Sequence, residues 1–266
     1  MAMARRNSTG SIGTQIPGYD MNKDTINFYA ALPPDFLCEC AYCRNYMKHA
    51  RRTFPSLAAY LDGIGVPIEK PFEAIPMDAA PGRVQYLGVQ YVVMGEEADF
   101  RDWRQDGVHV TLADSHPDTG LDEPHYVIKA GFQDGTMNLD PEVLIPRDKH
   151  DTDRLELLEG FTDEQIAPVI PALLTWLQDI NWPVAPEVAR ILSRRQALVE
   201  PYIVRVLQPT ETDEIWKYWL LSSLIPQFQH PVGEELRLAM ERIIESPTEG
   251  EIEEEVRQAA KEYLEG

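Results

Sequence analysis

The sequence predicts an α+β protein: a small antiparallel sheet with two helices beside it, followed by an all-α domain of antiparallel, HEAT-like helices. Two observations predict this order. Between residues 84 and 132, apolar residues alternate with polar ones, which is the period of a half-buried strand. From residue 161 onward, apolar residues recur at helical spacing. Because strands and helices occupy separate parts of the chain, an α+β arrangement follows.

The chain of 266 residues is predicted to divide into four parts. Residues 1–22 are expected to form a disordered leader, because they lack the apolar stretch of a secretory signal. Residues 23–140 form the predicted α+β domain, and residues 141–152 form a polar linker. Residues 153–266 form the predicted helical domain.

Two helices are expected before the strands. The first runs from about Pro34 to His49 and the second from about Pro55 to Asp62, stopping at Gly63 and Gly65. Pro55 suits the first turn of a helix, where its missing N–H costs nothing. Leu57, Tyr60 and Leu61 would then share one face of the second helix.

Three strands are expected next, each with β-branched or aromatic residues in alternation. They run from about Val84 to Val93, from Val108 to Leu112 and from Tyr126 to Phe132. Turn signals rich in Asp and Gly separate them, including Asp106-Gly107.

The helical domain carries two sequence signals for helix starts. Thr162 with Gln165, and Thr248 with Glu251, have the spacing of a capping box, in which two side chains satisfy opposite N-terminal donors. The apolar stripe from Ile166 to Leu177 is expected to form one helix. Short connections between helices favour antiparallel packing.

Three further expectations concern the middle of this domain. Pro186 is expected to open one helix and Pro201 another. Thr212 is expected to cap one helix, which carries Trp216, Trp219, Leu220, Leu224 and Phe228. That helix is apolar nearly all round, which predicts that it is the most buried.

The charge balance is strongly acidic, with 44 Asp and Glu against 24 Lys and Arg, a net charge of −20. This balance argues against nucleic acid as a partner, because phosphate binding needs a basic face. It also disfavours an anionic membrane surface. An acidic surface suits a basic protein partner, although the charge also serves solubility alone. No apolar run approaches the ~18 residues of a membrane span, so a cytoplasmic location is expected.

The sharpest local feature is a cluster of three cysteines, Cys38, Cys40 and Cys43. An odd number of crowded cysteines is not a secreted disulfide framework, and it fits a reducing cytosol. Cys40 and Cys43 have Cys-x-x-Cys spacing, and Cys38 or His49 could complete a zinc site. The alternatives are a helical core stripe of small apolar thiols and a redox or nucleophilic role.

A second metal hypothesis concerns the loop between the last two predicted strands, whose histidines and acids could bind a divalent cation. These residues are Asp114, His116, Asp118, Asp122, Glu123 and His125. An exposed turn has the same composition, so a turn is the alternative interpretation.

Four residues are predicted to contact a partner at the surface: Trp182, Trp103, Glu253 and Glu254. Trp182 lies in an Asn-Trp-Pro turn, and Trp103 lies between two charged residues. The glutamates belong to an acidic run from Glu249 to Glu255, which is expected on the outer face of the last helix. Its first acids also suit a helix N-terminus, where negative charge favours the helix dipole.

Three strings carry a resemblance to a known family: Leu177–Pro186, Trp216–Leu221 and Glu245–Glu251. Together they resemble the bacterial domain of unknown function 5071, over about residues 153–265. The resemblance implies a compact helical domain, similar in style to immunity domains that neutralise bacterial toxins. The N-terminal Cys-x-Cys-x-x-Cys string also resembles the start of uncharacterised bacterial proteins.

The sequence contains no nucleophile elbow, phosphate loop or dinucleotide-binding motif, which argues against an enzyme. The function expected is therefore that of a non-catalytic acidic interaction protein, such as an immunity protein that neutralises a basic bacterial toxin. The alternative is a metal- or thiol-dependent regulatory protein or enzyme that uses the cysteine cluster. No cofactor is expected apart from zinc in that alternative.

Overall fold

The computed structural model describes residues 22–33 and 36–266. The predicted leader lies outside the described residues except for Asn22, and so does Pro34, where the first helix was expected to begin. The contacts divide the chain into two compact units. The first comprises Met1–Met77 and Gln85–Met137, and the second comprises Asp78–Val84 and Asn138–Gly266.

The described part of the first unit contains three α-helices: α1 (Lys23–Ala31), α2 (Ala41–Thr53) and α3 (Pro55–Gly63). The sequence pattern did not predict α1, whose N-cap is Asn22. The first predicted helix corresponds to α2, which starts at Ala41 because Cys40 is its N-cap, and which extends to Thr53.

The sheet of the first unit has six strands. They are β1 (Glu73–Asp78), β2 (Arg83–Met94), β3 (Trp103–Gln105), β4 (Val108–Leu112), β5 (His125–Phe132) and β6 (Thr136–Asn138). The order is β1-β2-β5-β4-β3, and β6 pairs with β2. The antiparallel pairs β2–β5 and β4–β5 join the three predicted strands, whereas β1, β3 and β6 were not predicted. Two of these, β3 and β6, have three residues each, too few to show alternation.

Aromatic side chains pack α2 onto the sheet. The ring of Tyr46 lies 5.2 Å from the ring of Tyr86. The hydroxyl of Tyr46 lies 2.8 Å from that of Tyr91, which donates to the carbonyl of Ile68. All of these side chains are buried, so the position of α2 is fixed by hydrogen bonds as well as by apolar contact.

The second unit is helical. Its α-helices are α4 (Asp163–Ile166), α5 (Ile170–Leu174), α6 (Ala185–Ser193), α7 (Gln196–Val206), α8 (Glu214–Trp219), α9 (Glu234–Glu245), α10 (Glu249–Glu253) and α11 (Val256–Glu265). Both predicted capping boxes are present, at Thr162 with Gln165 and at Thr248 with Glu251. The segment predicted as a linker begins with a 3-10 turn, Pro141–Leu144, in which Val143 and Leu144 are buried.

Two departures from the expected helices involve prolines. The stripe predicted as one helix is broken into α4, α5 and 3-10 turns, with Pro168 and Pro171 at the first positions of the new turns. Proline removes a backbone donor and clashes with the preceding turn, so the α-helical hydrogen bonds are interrupted there. Pro201 was expected to open a helix, but it lies inside α7.

The helix around Trp216 also differs from expectation. Its N-cap is Asp213, not Thr212, and the Asp213 carboxylate accepts from Trp216 N at 3.0 Å. Within α8 only Lys217 is buried, and the buried leucines lie in the π-helical turn Leu220–Leu224 that follows. The burial predicted for this helix is thus found at Leu220 and Leu224, whereas Trp216 and Trp219 in α8 are only half-buried.

The last acidic run does not lie wholly on an outer face. Glu253 and Glu254 are exposed as expected, but Glu251 is fully buried. The helix predicted here divides at Glu255, whose φ of 57° is left-handed, into α10 and α11. Among the helices of the described chain, none is long and apolar enough to cross a membrane.

Candidate functional site

The structure brings the three cysteines together at the start of α2. The sulfur atoms of Cys38, Cys40 and Cys43 all lie within 4.8 Å of one another. Cys38 is exposed, Cys40 is half-buried and Cys43 is buried, and none is in a disulfide. The solvent exposure of the thiols therefore falls from Cys38 to Cys43, which lies in the core of the first unit.

Cys40 occupies the N-cap position of α2, where a side-chain acceptor satisfies a free backbone donor. Its Sγ accepts from Cys43 N at 3.5 Å, and its carbonyl accepts from Arg44 N at 3.0 Å. Arg44 Nη1 donates to the carbonyl of Glu39 at 3.0 Å and so ties the preceding loop to the helix. This local structure turns Cys38 back towards the other two thiols.

Buried polar contacts hold the first turn of α2 against the sheet. The hydroxyl of Tyr86 donates to the carbonyl of Tyr42 at 2.6 Å. Asn45 Nδ2 in turn donates to the hydroxyl of Tyr86 at 3.4 Å. Because Tyr42 before Cys43 and Asn45 after it are both anchored to Tyr86, the first turn of α2 holds the cluster in a fixed position.

The thiols perturb one another electrostatically. The hydrogen bond with the Cys43 side chain lowers the pKa of Cys40 to about 5, and backbone N–H groups of the helix start assist. The same hydrogen bond, together with burial, raises the pKa of Cys43 well above its usual value. The Cys40 sulfur is thus the natural thiolate of the cluster, and Cys43 is its proton donor.

The three thiols are soft sulfur ligands that lie close enough together to bind one metal ion. Zinc–thiolate bonds of about 2.3 Å in a tetrahedron place the sulfurs roughly 3.8 Å apart. The three sulfurs here lie within 4.8 Å of one another, which is compatible with that geometry. The chain turns at Cys40, the N-cap of α2, and this turn brings Cys38 close to Cys40 and Cys43. A fourth position would remain for water or another ligand on the exposed side, next to Cys38.

His49, predicted as a fourth ligand, is not part of the cluster. It lies on α2 beyond Cys43, and its Nδ1 is 3.1 Å from Arg52 Nη2. The cysteine cluster is the one group of three or more potential metal ligands found among the described residues.

The polar groups of the histidine-rich loop form hydrogen bonds with other residues of the same loop. His125 Nε2 lies 2.8 Å from Thr119 Oγ1, and its Nδ1 lies 2.7 Å from the carbonyl of Glu123. The carboxylate of Asp118 accepts from Gly120 N at 3.0 Å. These are the contacts of a structured turn, and the loop assembles no set of converging ligands in the described chain.

The four predicted partner-contact residues lie apart in sequence and in two units. Trp103, in β3, is half-buried and stacks on Tyr60 with ring centroids 4.7 Å apart. Trp182 is half-buried and meets Trp176 edge-on at 5.6 Å. Glu253 and Glu254 are exposed at the end of α10.

A group of basic residues on the outer face of the sheet was not predicted from the sequence. Arg104, His109 and Lys129 line one cleft there. Their alternation with buried residues of β4 and β5 was visible in the sequence. The pairing of strands that brings them together was not.

The family comparison concerns the second unit. Residues 144–264 match one family model. That family is the Domain of unknown function (DUF5071). The resemblance inferred from three short strings is confirmed, and the DUF5071 match begins at residue 144, inside the segment predicted as a linker. A comparison with curated proteins gave no match. The cysteine cluster lies outside the DUF5071 region, so the family assigns it no role.

Proposed function

We propose that this protein is a metal-dependent regulatory or structural protein whose N-terminal unit binds a thiophilic cation, most simply zinc, through Cys38, Cys40 and Cys43. The observation that carries the proposal is the distance of at most 4.8 Å between the three sulfurs. Three converging thiols are a ligand set that soft and borderline metals prefer. The anchored start of α2 supports the proposal, since a preformed site costs little to organise.

A purely structural role explains the cluster less well. Cys43 is buried and could serve as a small apolar residue, but Cys38 is exposed and contributes nothing to a core. A redox role by Cys40 and Cys43 alone would leave Cys38 without a purpose. Metal binding is the function that uses all three thiols.

Metal analysis of the freshly purified, reduced full chain tests this proposal. We expect about one equivalent of zinc or another thiophilic metal per chain. Cys38→Ser, Cys40→Ser and Cys43→Ser should each lower the bound metal strongly, because each removes a ligand. His49→Ala is the matched control and should retain the metal, since His49 is not in the cluster. A wild-type chain that remains metal-free after reconstitution with zinc would refute the proposal.

A second candidate function is that of an acidic interaction protein, such as an immunity protein that binds a basic toxin. The observation that favours it is the exposed run Glu253–Glu255. These carboxylates make no ion pair with any residue that the structure describes. Together with the net charge of −20, this leaves a concentrated negative patch for a basic partner.

Co-expression with the product of the neighbouring gene tests the second candidate. A basic partner should co-purify with the wild type, and Glu253→Lys/Glu254→Lys should weaken its capture at least tenfold. Glu96→Lys/Glu97→Lys changes an exposed glutamate pair in the first unit by the same charge and should bind normally. If no partner co-purifies, or if both double variants lose it equally, a specific role for this patch is ruled out.

A further inference from the structure

One row of paired residues on the outer face of the sheet in the first unit ends in two glycines, which have no side chain to cover the backbone. Arg104 pairs with His109 in the β3–β4 register, and His109 pairs with Gly131 in the β4–β5 register. Gly131 pairs in turn with Gly88 of β2. One row across four strands therefore holds two basic side chains followed by two glycines.

At these two glycines, Gly88 and Gly131, no side chain covers the backbone of the sheet. A side chain at Gly88 would meet Lys129, whose Cε lies 2.9 Å from the place of a Cβ, so the lysine stem extends over Gly88. At Gly131 the nearest atom to an added Cβ is the carbonyl oxygen of His109, at 3.7 Å. The backbone at Gly131 is therefore not covered by a neighbouring side chain, and a cleft of about 480 Å³ lies over it.

The lining of the cleft combines positive charge with apolar surface. Arg104, His109 and Lys129 contribute the basic groups, and Leu87 contributes apolar surface. The ring of Phe132 stacks on buried Phe54, with centroids 4.3 Å apart, and so points to the other face of the sheet. Leu87 is 48% exposed, so a large apolar side chain faces solvent at the rim. The chain as a whole has a net charge of −20, so these basic groups are opposite in sign to its overall charge.

Hydrogen bonds within the cleft orient two of these groups. Arg104 Nη2 lies 3.1 Å from His109 Nδ1. A guanidinium only donates, so Nδ1 accepts and the ring N–H is on Nε2, which lies 3.4 Å from Asp102 Oδ2. Among the residues that the structure describes, Asp102 is the one carboxylate in contact with this set. Lys129 has no hydrogen bond or ion pair with any described residue, so its ammonium is available to a ligand.

We propose that this cleft binds a small organic carboxylate with an apolar body. Arg104 matches a carboxylate through paired N–H groups, and Lys129 adds a point charge. The apolar body would rest on Gly88 and Gly131 beside Leu87, where side-chain-free backbone permits close approach. The site is separate from the cysteine cluster and does not depend on metal binding.

Benzoate is a suitable probe, followed by amide chemical shifts of the ¹⁵N-labelled full chain. We expect saturable shifts at residues 87–88, 107–109 and 129–133. Lys129→Met keeps the aliphatic stem over Gly88 but removes the charge, and it should weaken benzoate binding at least tenfold. Arg104→Gln should do the same, and Gly131→Ala should weaken binding by partly covering the floor. Lys261→Met removes the same charge from an exposed position of α11 and should bind benzoate as the wild type does.

Two further probes test the chemistry of the ligand. Benzylamine, with the same ring but a positive charge, should cause no shifts in the cleft. Inorganic phosphate should compete with benzoate only weakly, because it lacks the apolar body. The proposal is overturned if benzoate causes no saturable shifts, if folded Lys129→Met binds benzoate as the wild type does, or if phosphate binds more tightly than benzoate.

Discussion

The ammonium of Lys217 lies 3.1 Å from the carboxylate of Glu251, and both side chains are fully buried. Lys217 Nζ also lies 3.0 Å from Glu214 Oε2. Arg242 Nη2 donates to Glu251 Oε1 at 2.8 Å, and Glu251 Oε2 accepts from Thr248 N at 2.9 Å. This network joins α8, α9 and α10, and it explains why an acidic residue of the last glutamate run points inward.

We expect Glu251→Gln to destabilise the protein by about 3 kcal/mol, because it leaves the buried ammonium of Lys217 without one of its two carboxylate partners. Gln keeps the hydrogen-bonding pattern of the capping box, so the substitution isolates the charge. Urea unfolding measures the loss. Glu253→Gln on the exposed side is the control, with an expected change within about 0.5 kcal/mol. A loss below about 1 kcal/mol for Glu251→Gln would show that the network contributes little.

The same residue should make stability depend on pH. Burial raises the pKa of Glu251, but hydrogen bonds from Arg242, the Thr248 backbone and Lys217 outweigh burial, so its pKa lies below the usual 4.5. A carboxyl with a lowered folded pKa stabilises the fold above its unfolded pKa, and that contribution is lost as the pH falls through the folded pKa. The difference in unfolding free energy between wild type and Glu251→Gln should therefore shrink between pH 6 and pH 3. A difference that stays constant across this range would contradict the assignment.

Gly135 is required by its contact with the neighbouring strand. A Cβ at Gly135 would lie 2.0 Å from the carbonyl oxygen of Tyr86, while Tyr86 N donates to the carbonyl of Gly135 at 2.9 Å. We expect Gly135→Ala to cost about 3 kcal/mol, because the backbone itself must move. Gly120→Ala is the comparison: it has open space but a φ of +65°, so it should cost only about 1 kcal/mol. Equal melting temperatures for the two variants would argue against this contact.

Thiol reactivity should follow the burial gradient of the cysteine cluster. In the reduced, metal-free chain, exposed Cys38 and the thiolate of Cys40 should react with iodoacetamide before buried Cys43 does. Stoichiometric zinc should protect all three cysteines, because coordinated thiolates are poor nucleophiles. Peptide mass mapping of the alkylated sites gives the order. Early modification of Cys43, or no protection by zinc, would be inconsistent with the arrangement described.

Local chemistry was enough to predict much of this fold. The alternation in β2, β4 and β5 and the capping boxes at Thr162 and Thr248 depend on neighbouring residues alone, and the structure contains all of them. The family strings were equally local, and they located the DUF5071 match. The cysteine cluster was visible as a composition, although its ligand geometry was not.

Tertiary structure decided the rest, because the deciding contacts join residues far apart in sequence. Glu251 is buried because Lys217 and Arg242 meet it from other helices, a pairing that no helical period encodes. The basic cleft exists because strand register places His109 beside Gly131. The sequence by itself therefore determined the three longer predicted strands, the two capped helix starts and the presence of three clustered thiols. Only the packed chain decided which charges are buried, which face is bare and where the sulfurs point, since those depend on long-range contacts.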